Sequence, residues 1–311
     1  MKKTLLGIFA FVLALGTGLG VEHQYVEKAF AANPLPAYTC PGSFTNGDLI
    51  AWTTPGNCLS DAGAQSGRLI GTQVFCTGTG SNCTSTNCSS GCTYTPTAGT
   101  NSIRVTVIAP GGGGGGNVAC TTTTGTAGST GGAGEVIVAT ATTGFSGATV
   151  TVPAGGAGGA NTGANGTTGG NTTFIKSLGI SITANGGGGG NGTNSTSPSG
   201  ASNPGGAGGA KGGTVSGATV IVDIAGGTGS YAAWSRTSGI GFSSVGPSGA
   251  PGLGFGTGSP GFSNPGADLL GTAGTGYGYG GAIGSLCLDA SGSAHAGGAG
   301  GDGLVIVEER S

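Results

Sequence analysis

Few side chains in this sequence could carry out acid–base or nucleophilic chemistry. His295 follows Ser293 and Asp289 closely in the chain, so the three residues offer the components of a Ser–His–Asp triad. A triad is defined by three-dimensional roles, however, and nothing in the sequence supplies the nucleophile elbow that would expose the serine. The pattern therefore predicts no catalytic residue.

Phosphate, metal and cofactor sites are also missing from the pattern. Motifs of the G-x-G-x-x-G type recur, as at residues 205–213, but none lies in a strand–turn–helix unit, and Lys211 lacks the following Ser or Thr of a phosphate loop. The acidic residues do not form a dyad or a calcium loop. They are Asp223, Asp268, Asp289 and Asp302. We expect a protein that is not an enzyme and holds no cofactor and no metal.

The candidate binding residues are aromatic. Tyrosine and tryptophan supply rigid contact area in binding sites, and only 6% of this chain is aromatic, so a cluster is informative. Such a cluster occurs within residues 231–281, and its candidate site residues are Tyr231, Trp234, Phe242, Tyr277 and Tyr279. The alternative is that these aromatic residues fill the hydrophobic core, as large apolar side chains commonly do.

Cysteines predict disulfide bonds. Eight of them lie beyond residue 31: Cys40, Cys58, Cys76, Cys83, Cys88, Cys92, Cys120 and Cys287. An even number in an exported chain favours disulfides, and the spacing lacks the C-x2-C pair and the nearby histidine of a zinc site. The simplest pairing joins Cys40 to Cys58 and pairs the next four cysteines among themselves.

The N-terminus is typical of an export signal. Lys2 and Lys3 precede an apolar run at residues 5–19, and Ala29-Phe-Ala31 offers a cleavage site. Cleavage at residues 16–18, or retention of the segment as a membrane anchor, stays open. We therefore expect a signal peptide at 1–31, a cysteine-rich loop and β region at 32–92, a glycine-rich domain at 93–311, and a secreted or cell-surface location.

Short β-branched runs with a period of two predict an all-β fold. Seven such runs occur, at residues 103–108, 135–140, 148–153, 173–176, 180–183, 218–224 and 304–308. Between the fourth and fifth runs, Ser177-Leu-Gly179 predicts a hairpin in which the glycine takes the positive φ. Glu308 and Glu309 are expected to protect an edge strand from unwanted pairing. The number of strands suggests a sandwich or jelly roll.

Glycine dominates the stretches between these runs and accounts for 76 of the 311 residues. The stretches at 111–132, 154–172, 185–213 and 225–303 are too long for ordinary loops. Either they are flexible linkers, or they are extended helices whose peptide groups hydrogen-bond to one another. The net charge of −2 and the lack of a basic cluster argue against nucleic-acid binding.

Several motifs, in this order, resemble a known family. They are Tyr94-Thr-Pro-Thr-Ala-Gly-Thr100, a strand that runs into the glycines of 111–116, Gly276-Tyr-Gly-Tyr-Gly-Gly281, and Leu304-Val-Ile-Val-Glu-Glu309. Residues 93–310 are thereby similar to the glycine-rich domain of bacteriophage tail fibres and bacterial surface proteins, and more distantly to that of the anaplastic lymphoma kinase receptor family. The resemblance implies a jelly-roll-like sandwich with polyglycine II helices, without a catalytic centre.

Two further expectations follow from this resemblance. If the first and last strands of the domain are antiparallel neighbours, two glycine-rich excursions meet, and Cys120 pairs with Cys287. The function implied is a structural or adhesive one at the cell surface. The alternative is a carbohydrate- or receptor-binding module that uses the aromatic cluster. Expected partners are surface glycans, receptors or envelope components; the membrane is a partner only through an uncleaved signal.

Overall fold

A computed structural model of the chain describes residues 67–77, 83–119, 126, 128–193, 206–207, 213–230, 271–282 and 293–311, and the backbone of strands at 50–53, 58–61, 232–237, 240–245 and 256–257. The chain divides into two compact units, Met1–Gln65 and Ser66–Ser311. The predicted signal peptide lies outside the described residues. Within them, no helix is long and apolar enough to cross a bilayer.

The described strands follow one another along the chain as β1 to β16. They are β1 (Ile50–Thr53), β2 (Cys58–Asp61), β3 (Leu69–Cys76), β4 (Cys92–Thr93), β5 (Ser102–Ile108), β6 (Val136–Ala141), β7 (Thr149–Thr151), β8 (Thr172–Ile175), β9 (Ser181–Ala184), β10 (Val215–Ser216), β11 (Thr219–Ile224), β12 (Ala232–Thr237), β13 (Ile240–Val245), β14 (Gly256–Thr257), β15 (Thr275–Gly276) and β16 (Leu304–Arg310). A single 3-10 turn at Cys88–Ser90 is the one helical element in this part of the chain.

In the first unit, β1 and β2 pair as an antiparallel hairpin. The second unit contains two five-stranded antiparallel sheets, one in the order β11-β6-β5-β16-β3 and the other in the order β10-β9-β8-β7-β4. The all-β prediction is confirmed, and each of the seven predicted strand segments overlaps a strand of these sheets. The first and last predicted strands, β5 and β16, are antiparallel neighbours as expected.

The two sheets share one hydrophobic core. The period-two pattern of β5 points Ile103, Val105 and Val107 into this core, where they are at most 1% exposed. Tyr94 lies in its middle, with its ring centroid 5.5 Å from that of Phe174 and 6.4 Å from that of Phe75. The core is therefore closed by aromatic residues contributed by both sides of the domain.

Two stretches contain strands that the sequence pattern did not reveal. Residues 69–93, placed in the cysteine-rich region, supply β3 and β4 at the edges of the two sheets. The glycine-rich stretch 225–303 contains no predicted strand, yet β12 and β13, of six residues each, pair there as an antiparallel hairpin. In both places alternation is interrupted by glycine or small polar residues, which weakens the period-two signal.

The hairpin between β8 and β9 forms as predicted, but with a different residue in the strained position. Gly179 donates its amide to the carbonyl of Lys176, which closes a turn around Ser177 and Leu178. Leu178, and not Gly179, has the positive φ, +60°, and its side chain is fully exposed. A residue with a Cβ atom has a conformational cost at positive φ, whereas glycine does not. The turn therefore carries strain that a glycine at position 178 would relieve.

Glycine-rich segments continue directly from the strand ends and pack beside one another. The central segment, residues 110–117, extends from β5, and every amide from Gly111 to Asn117 donates a hydrogen bond to a carbonyl of another segment. The amides follow a period of three. Gly111 and Gly114 donate to residues 301 and 298, Gly112 and Gly115 to residues 132 and 129, and Gly113 and Gly116 to residues 167 and 164.

Six segments surround the central segment and form a closed ring. Three accept its amides, and three donate amides to its carbonyls, with N···O distances of 2.8–3.0 Å. The ring segments are residues 128–134, 154–160, 163–169, 186–193, 278–282 and 295–303. Adjacent ring segments also bond to each other, as where Gly166 donates to Gly190 at 2.9 Å and Gly297 to Gly159 at 2.8 Å. We call these seven segments the glycine bundle.

Close approach of the backbones explains the glycine content of the bundle. A Cβ atom at any position from 111 to 116 would overlap a main-chain carbonyl of a neighbouring segment. None of these six glycines has a positive φ, so packing, and not backbone conformation, requires them. Where one side of a ring segment faces solvent, every third residue is exposed and carries a side chain. Ala154, Ala157 and Ala160 are exposed, whereas Gly156 and Gly159 are buried.

We predict that Gly114→Ala strongly destabilises the protein, because its Cβ would overlap the carbonyl oxygen of Ala282. Forced overpacking of this kind costs about 3 kcal/mol. Gly188→Ala is a matched control, since its Cβ would lie 3.0 Å from the nearest atom, the carbonyl oxygen of Ala207. We expect it to change the free energy of unfolding by less than about 1 kcal/mol. Equal effects in urea unfolding would contradict the packing explanation.

We also predict that Leu178→Gly stabilises the protein. Removing the strain of the positive φ should raise the free energy of unfolding by about 1–2 kcal/mol. Glycine also makes the unfolded chain more flexible, which offsets part of this gain and leaves about 0.5–1 kcal/mol. Ser177→Gly, in the same turn but without a positive φ, should lower stability instead. Thermal unfolding of the two variants separates the effects, and a loss of stability in Leu178→Gly would show that the turn is unstrained.

Candidate functional site

An open cavity lies beside the bundle where two glycine-rich stretches meet. Its volume is about 500 Å³. The residues that line it are Ala273, Gly274, Gly276, Tyr277, Gly300, Gly301 and Asp302. Only Tyr277 and Asp302 among these carry side chains larger than a methyl group, so the cavity combines one aromatic ring and one carboxylate with exposed main chain.

The motif around residue 277 places its two tyrosines differently. Gly276 and Gly278 have positive φ values of +116° and +77°, which turn the chain sharply on either side of Tyr277. Tyr279 is 2% exposed and lies within the bundle, where its carbonyl accepts the amide of Gly301 at 2.7 Å. Tyr277 is half-buried and lines the cavity. One ring therefore belongs to the core and the other to the candidate site.

The wall behind Tyr277 is made by the first sheet. Tyr277 packs against a small cluster that contains Ile108, Val136 and Leu304. Its hydroxyl lies 3.8 Å from the sulfur of Cys76, which is bonded to Cys83. The disulfide and the strands thus hold the ring in place.

Asp302 also lines the cavity. Its Oδ1 accepts a hydrogen bond from the amide of Gly155 at 2.9 Å, and its own carbonyl accepts the amide of Gly278 at 2.8 Å. These bonds fix Asp302 between two bundle segments. The carboxylate is held in position before any ligand is present.

Tyr277 and Tyr279 are the predicted binding residues whose side chains the structure describes. Trp234 lies opposite Ser243 and Phe242 opposite Ser235 in the β12–β13 hairpin, of which the backbone is described. Tyr231 lies outside the described residues. The structure therefore brings Tyr277 into a cavity, assigns Tyr279 to the core, and the roles of the other three residues stay predictions.

The disulfide pairing agrees with the expected local pattern where the chain is described. Cys76 bonds to Cys83 and Cys88 to Cys92. Cys40, Cys120 and Cys287 lie outside the described residues, and only the backbone of Cys58 is described. The Cys120–Cys287 pair stays a prediction, although the strand neighbourhood on which it rests is confirmed.

Glu309 is a buried carboxylate that accepts a hydrogen bond from Tyr94, a residue of the core between the two sheets. The sequence pattern placed it on a protected edge, but β16 lies between β5 and β3 and Glu309 is 0% exposed. Its Oε1 accepts hydrogen bonds from the Tyr94 hydroxyl at 2.8 Å, the Gln73 amide at 2.9 Å and the Thr97 main chain at 3.1 Å. Its Oε2 accepts the Thr97 hydroxyl at 2.6 Å. The edge-strand prediction was wrong because the flanking strand β3 was missed.

These hydrogen bonds control two pKa values. Burial alone would raise the pKa of Glu309, but the bonds donated by Thr97, Tyr94 and Gln73 outweigh it, and the pKa lies below its ordinary value of 4.5. Burial also raises the pKa of Tyr94 well above 10.0, and the hydrogen bond to Glu309 and its negative charge add to this effect. The pair is therefore an ionised carboxylate and a neutral phenol.

A second buried carboxylate, Glu135, lies where β6 joins the bundle. Its Oε2 accepts the amide of Asn185 at 2.8 Å, and its Oε1 accepts the amide of Gly213 at 3.1 Å. Gly213 must be glycine here, since a Cβ would overlap the main-chain carbonyl of Thr183 and would also lie 2.7 Å from the carboxylate of Glu135. Glu135 thus binds the two ends of one glycine-rich stretch, residues 185–213, a role that no motif in the sequence indicated.

His295 lies at the far end of the central segment. Its main chain pairs with Asn117, whose amide donates to the carbonyl of His295 at 3.0 Å and whose side-chain oxygen accepts the amide of His295 at 3.1 Å. The Nε2 atom is buried and has no hydrogen-bond partner in the part of the chain that the structure describes. Ser293 is exposed, and Asp289 lies outside the described residues.

The domain has two sheets around one core, and hydrogen-bonded glycine segments extend from the ends of the strands. This arrangement defines a glycine-rich β domain. A family model described as a glycine-rich domain matches residues 84–310, and the chain belongs to that family. A search of curated proteins gave no match to this chain. The matched region begins before Tyr94 and ends after Glu309, so it contains both partners of the core hydrogen-bond network.

We predict that Glu309 makes stability depend on acid. Because its pKa is lower in the folded than in the unfolded chain, its contribution is present above a pH of about 4.5 and is lost as the pH falls through the folded pKa. Glu309→Gln should cost roughly 2 kcal/mol at pH 7 and should flatten this acid dependence.

Glu308→Gln is the matched control for this prediction. Glu308 is the neighbouring residue, with a part-exposed side chain 3.5 Å from Arg104, and surface pairs of this kind contribute less than about 1 kcal/mol. Urea unfolding between pH 7 and pH 3 measures both variants. The same acid dependence in Glu309→Gln as in the unsubstituted protein would contradict the assignment.

Proposed function

We propose that the protein is an exported, non-catalytic structural or adhesive domain, whose working part is the glycine bundle. The observation that carries the proposal is the closed ring of six segments around residues 110–117. Such a ring gives a rigid body whose cohesion does not depend on charged or bulky side chains. A rigid and weakly charged body is suited to a structural or adhesive role.

The segments have the features of polyglycine II helices, and we propose that they are such helices. Extended helices of this type have about three residues per turn and no internal hydrogen bonds, so each residue directs its peptide group to a different neighbour. The period of three in the donated bonds of residues 111–116 has this form. We further propose that the two sheets form a jelly-roll-like sandwich, with the bundle at one end.

Export and a cell-surface location are supported by the cysteines. The Cys76–Cys83 and Cys88–Cys92 bonds need an oxidising compartment to persist in most organisms. Together with the predicted signal at residues 1–31, they favour secretion. The resemblance to tail-fibre and receptor glycine-rich domains supports a role in attachment or recognition at a surface.

A second function, ligand binding, is favoured by the cavity at Tyr277. A concave site with a fixed aromatic ring and a fixed carboxylate is suited to a ligand rather than to scaffolding alone. In this proposal the protein is a carbohydrate- or receptor-binding module, with Tyr277 as the site residue, and the aromatic residues of the β12–β13 hairpin as further candidates.

Hydrogen exchange tests the structural proposal. We expect the amides of residues 111–117 and 129–134 to exchange far more slowly than those of an unfolded chain, because each donates a buried hydrogen bond to another segment. Gly188→Ala should preserve this protection and Gly114→Ala should remove it. Exchange at unfolded rates throughout both segments would show that they are linkers.

Attachment of protein-coated beads to bacterial cells and to glycan-coated plates tests the adhesive role. Beads with the unsubstituted protein or Gly188→Ala should attach, and beads with Gly114→Ala should not, because the rigid bundle is lost. Equal attachment of all three would separate adhesion from the bundle.

A further inference from the structure

We propose that the cavity beside Tyr277 binds one ring of an uncharged saccharide, which stacks on Tyr277 and hydrogen-bonds to Asp302. This inference rests on the second of the two functions proposed above, ligand binding. It names the ligand class and the residue that would orient the ligand. Its basis is the shape of the cavity, the chemistry of its two side chains and the charges that are missing from its lining.

The shape of the cavity suits a small ring. Its volume of about 500 Å³ lies within the range of small-molecule sites, roughly 300–1,000 Å³. Protein partners instead need a broad interface of about 1,000 Å² or more. The bare walls are fixed by packing, since a Cβ at Gly301 would overlap the carbonyl of Gly276, and one at Gly300 that of Gly111. Main chain, and not side chains, therefore shapes the site.

Tyr277 supplies a stacking surface. Its ring is held from behind by Leu304, Val136 and the Cys76 sulfur, 3.8 Å from its hydroxyl. A ring that is already fixed loses little side-chain entropy on binding. The C–H face of a pyranose is apolar and packs against such a ring, while its hydroxyls stay at the rim.

Asp302 supplies a hydrogen-bond acceptor. A carboxylate has about four acceptor positions, and the Gly155 amide occupies one of them at Oδ1. Hydroxyl groups donate strong hydrogen bonds to a carboxylate, so two adjacent hydroxyls of a sugar match the remaining positions. The bond from Gly155 fixes the orientation of the carboxylate.

Charge selects among saccharides. The seven lining residues include one carboxylate and no lysine or arginine. An anionic sugar would place its negative charge beside Asp302 without compensation, which is unfavourable at short range. The site therefore favours neutral sugars over acidic ones and over phosphate esters.

Saturation-transfer NMR on the full chain tests the inference. The probes are glucose, galactose, mannose and N-acetylglucosamine, with N-acetylneuraminic acid as the anionic probe. We expect at least one neutral sugar to receive saturation, the anionic sugar to receive none, and Tyr277→Ala to abolish the signal. Tyr277→Phe keeps the ring and should bind normally. Asp302→Asn keeps an oxygen for the Gly155 amide and should weaken binding at least tenfold.

Unfolding midpoints and hydrogen exchange at residues 110–117 confirm that each variant is folded. If Tyr277→Ala is unfolded, Tyr277→Leu replaces it, because leucine keeps an apolar contact with the cluster behind the ring. Binding of the anionic sugar as strong as that of the neutral ones, or neutral-sugar binding that survives loss of the ring, overturns the proposal. So does the absence of any neutral-sugar signal.

The bead assay separates failure of this inference from failure of the ligand-binding function. If attachment to cells depends on Tyr277 but no neutral sugar binds or competes, the saccharide assignment fails and the ligand-binding function stands. If attachment is the same in Tyr277→Ala and no sugar binds, both fail.

Discussion

Hydrogen bonding between closely spaced backbones is the interaction on which this structure depends. Each amide from Gly111 to Asn117 donates to a carbonyl of another segment. The amides of this fully buried stretch are therefore hydrogen-bonded although the stretch belongs to no β-sheet. A buried peptide group left unpaired would cost about 1–3 kcal/mol. The close approach that permits these bonds excludes Cβ atoms, and the glycines of residues 111–116 follow from that exclusion. Conformational freedom does not explain these six glycines, although turns elsewhere, as at Gly276 and Gly278, do require it.

Two buried carboxylates connect this bundle to the sheets and the sheets to each other. Glu135 receives amides from Asn185 and Gly213 at the point where strands become glycine segments. Glu309 accepts hydrogen bonds from Tyr94 and Thr97. Tyr94 and Thr97 lie near the start of the region that the family model matches, and Glu309 lies near its end, so the two ends of the domain are partners in one hydrogen-bond network. Glu309 is bound by neutral donors, which orient it more strictly than a flexible lysine would.

Much of the fold could be predicted from the sequence, because half-buried strands such as Ser102–Ile108 alternate apolar and polar residues. β3 was missed because Gly71 interrupts its pattern, and the role of Glu309 was then misjudged, since an edge became an interior strand. Leu178 was missed because nothing local distinguishes it from the adjacent glycine. Of the candidate site, Tyr277 was predicted, whereas Asp302 was considered only for acid–base catalysis or calcium binding and was rejected for both. The cavity arises from two stretches far apart in sequence, which local patterns do not relate.

The ring around residues 110–117 also governs when the domain can form. Its members come from positions as distant as 128–134 and 295–303, and β16 must enter between β5 and β3 before either neighbour is complete. Contacts between such distant residues close slowly, because the entropy of long loops is lost before the bonds are gained. A nascent chain that has not yet reached residue 295 therefore has no closed ring, and its first sheet lacks the strand β16. Such a chain stays open, and the ring can close only after the segment 295–303 has been synthesised.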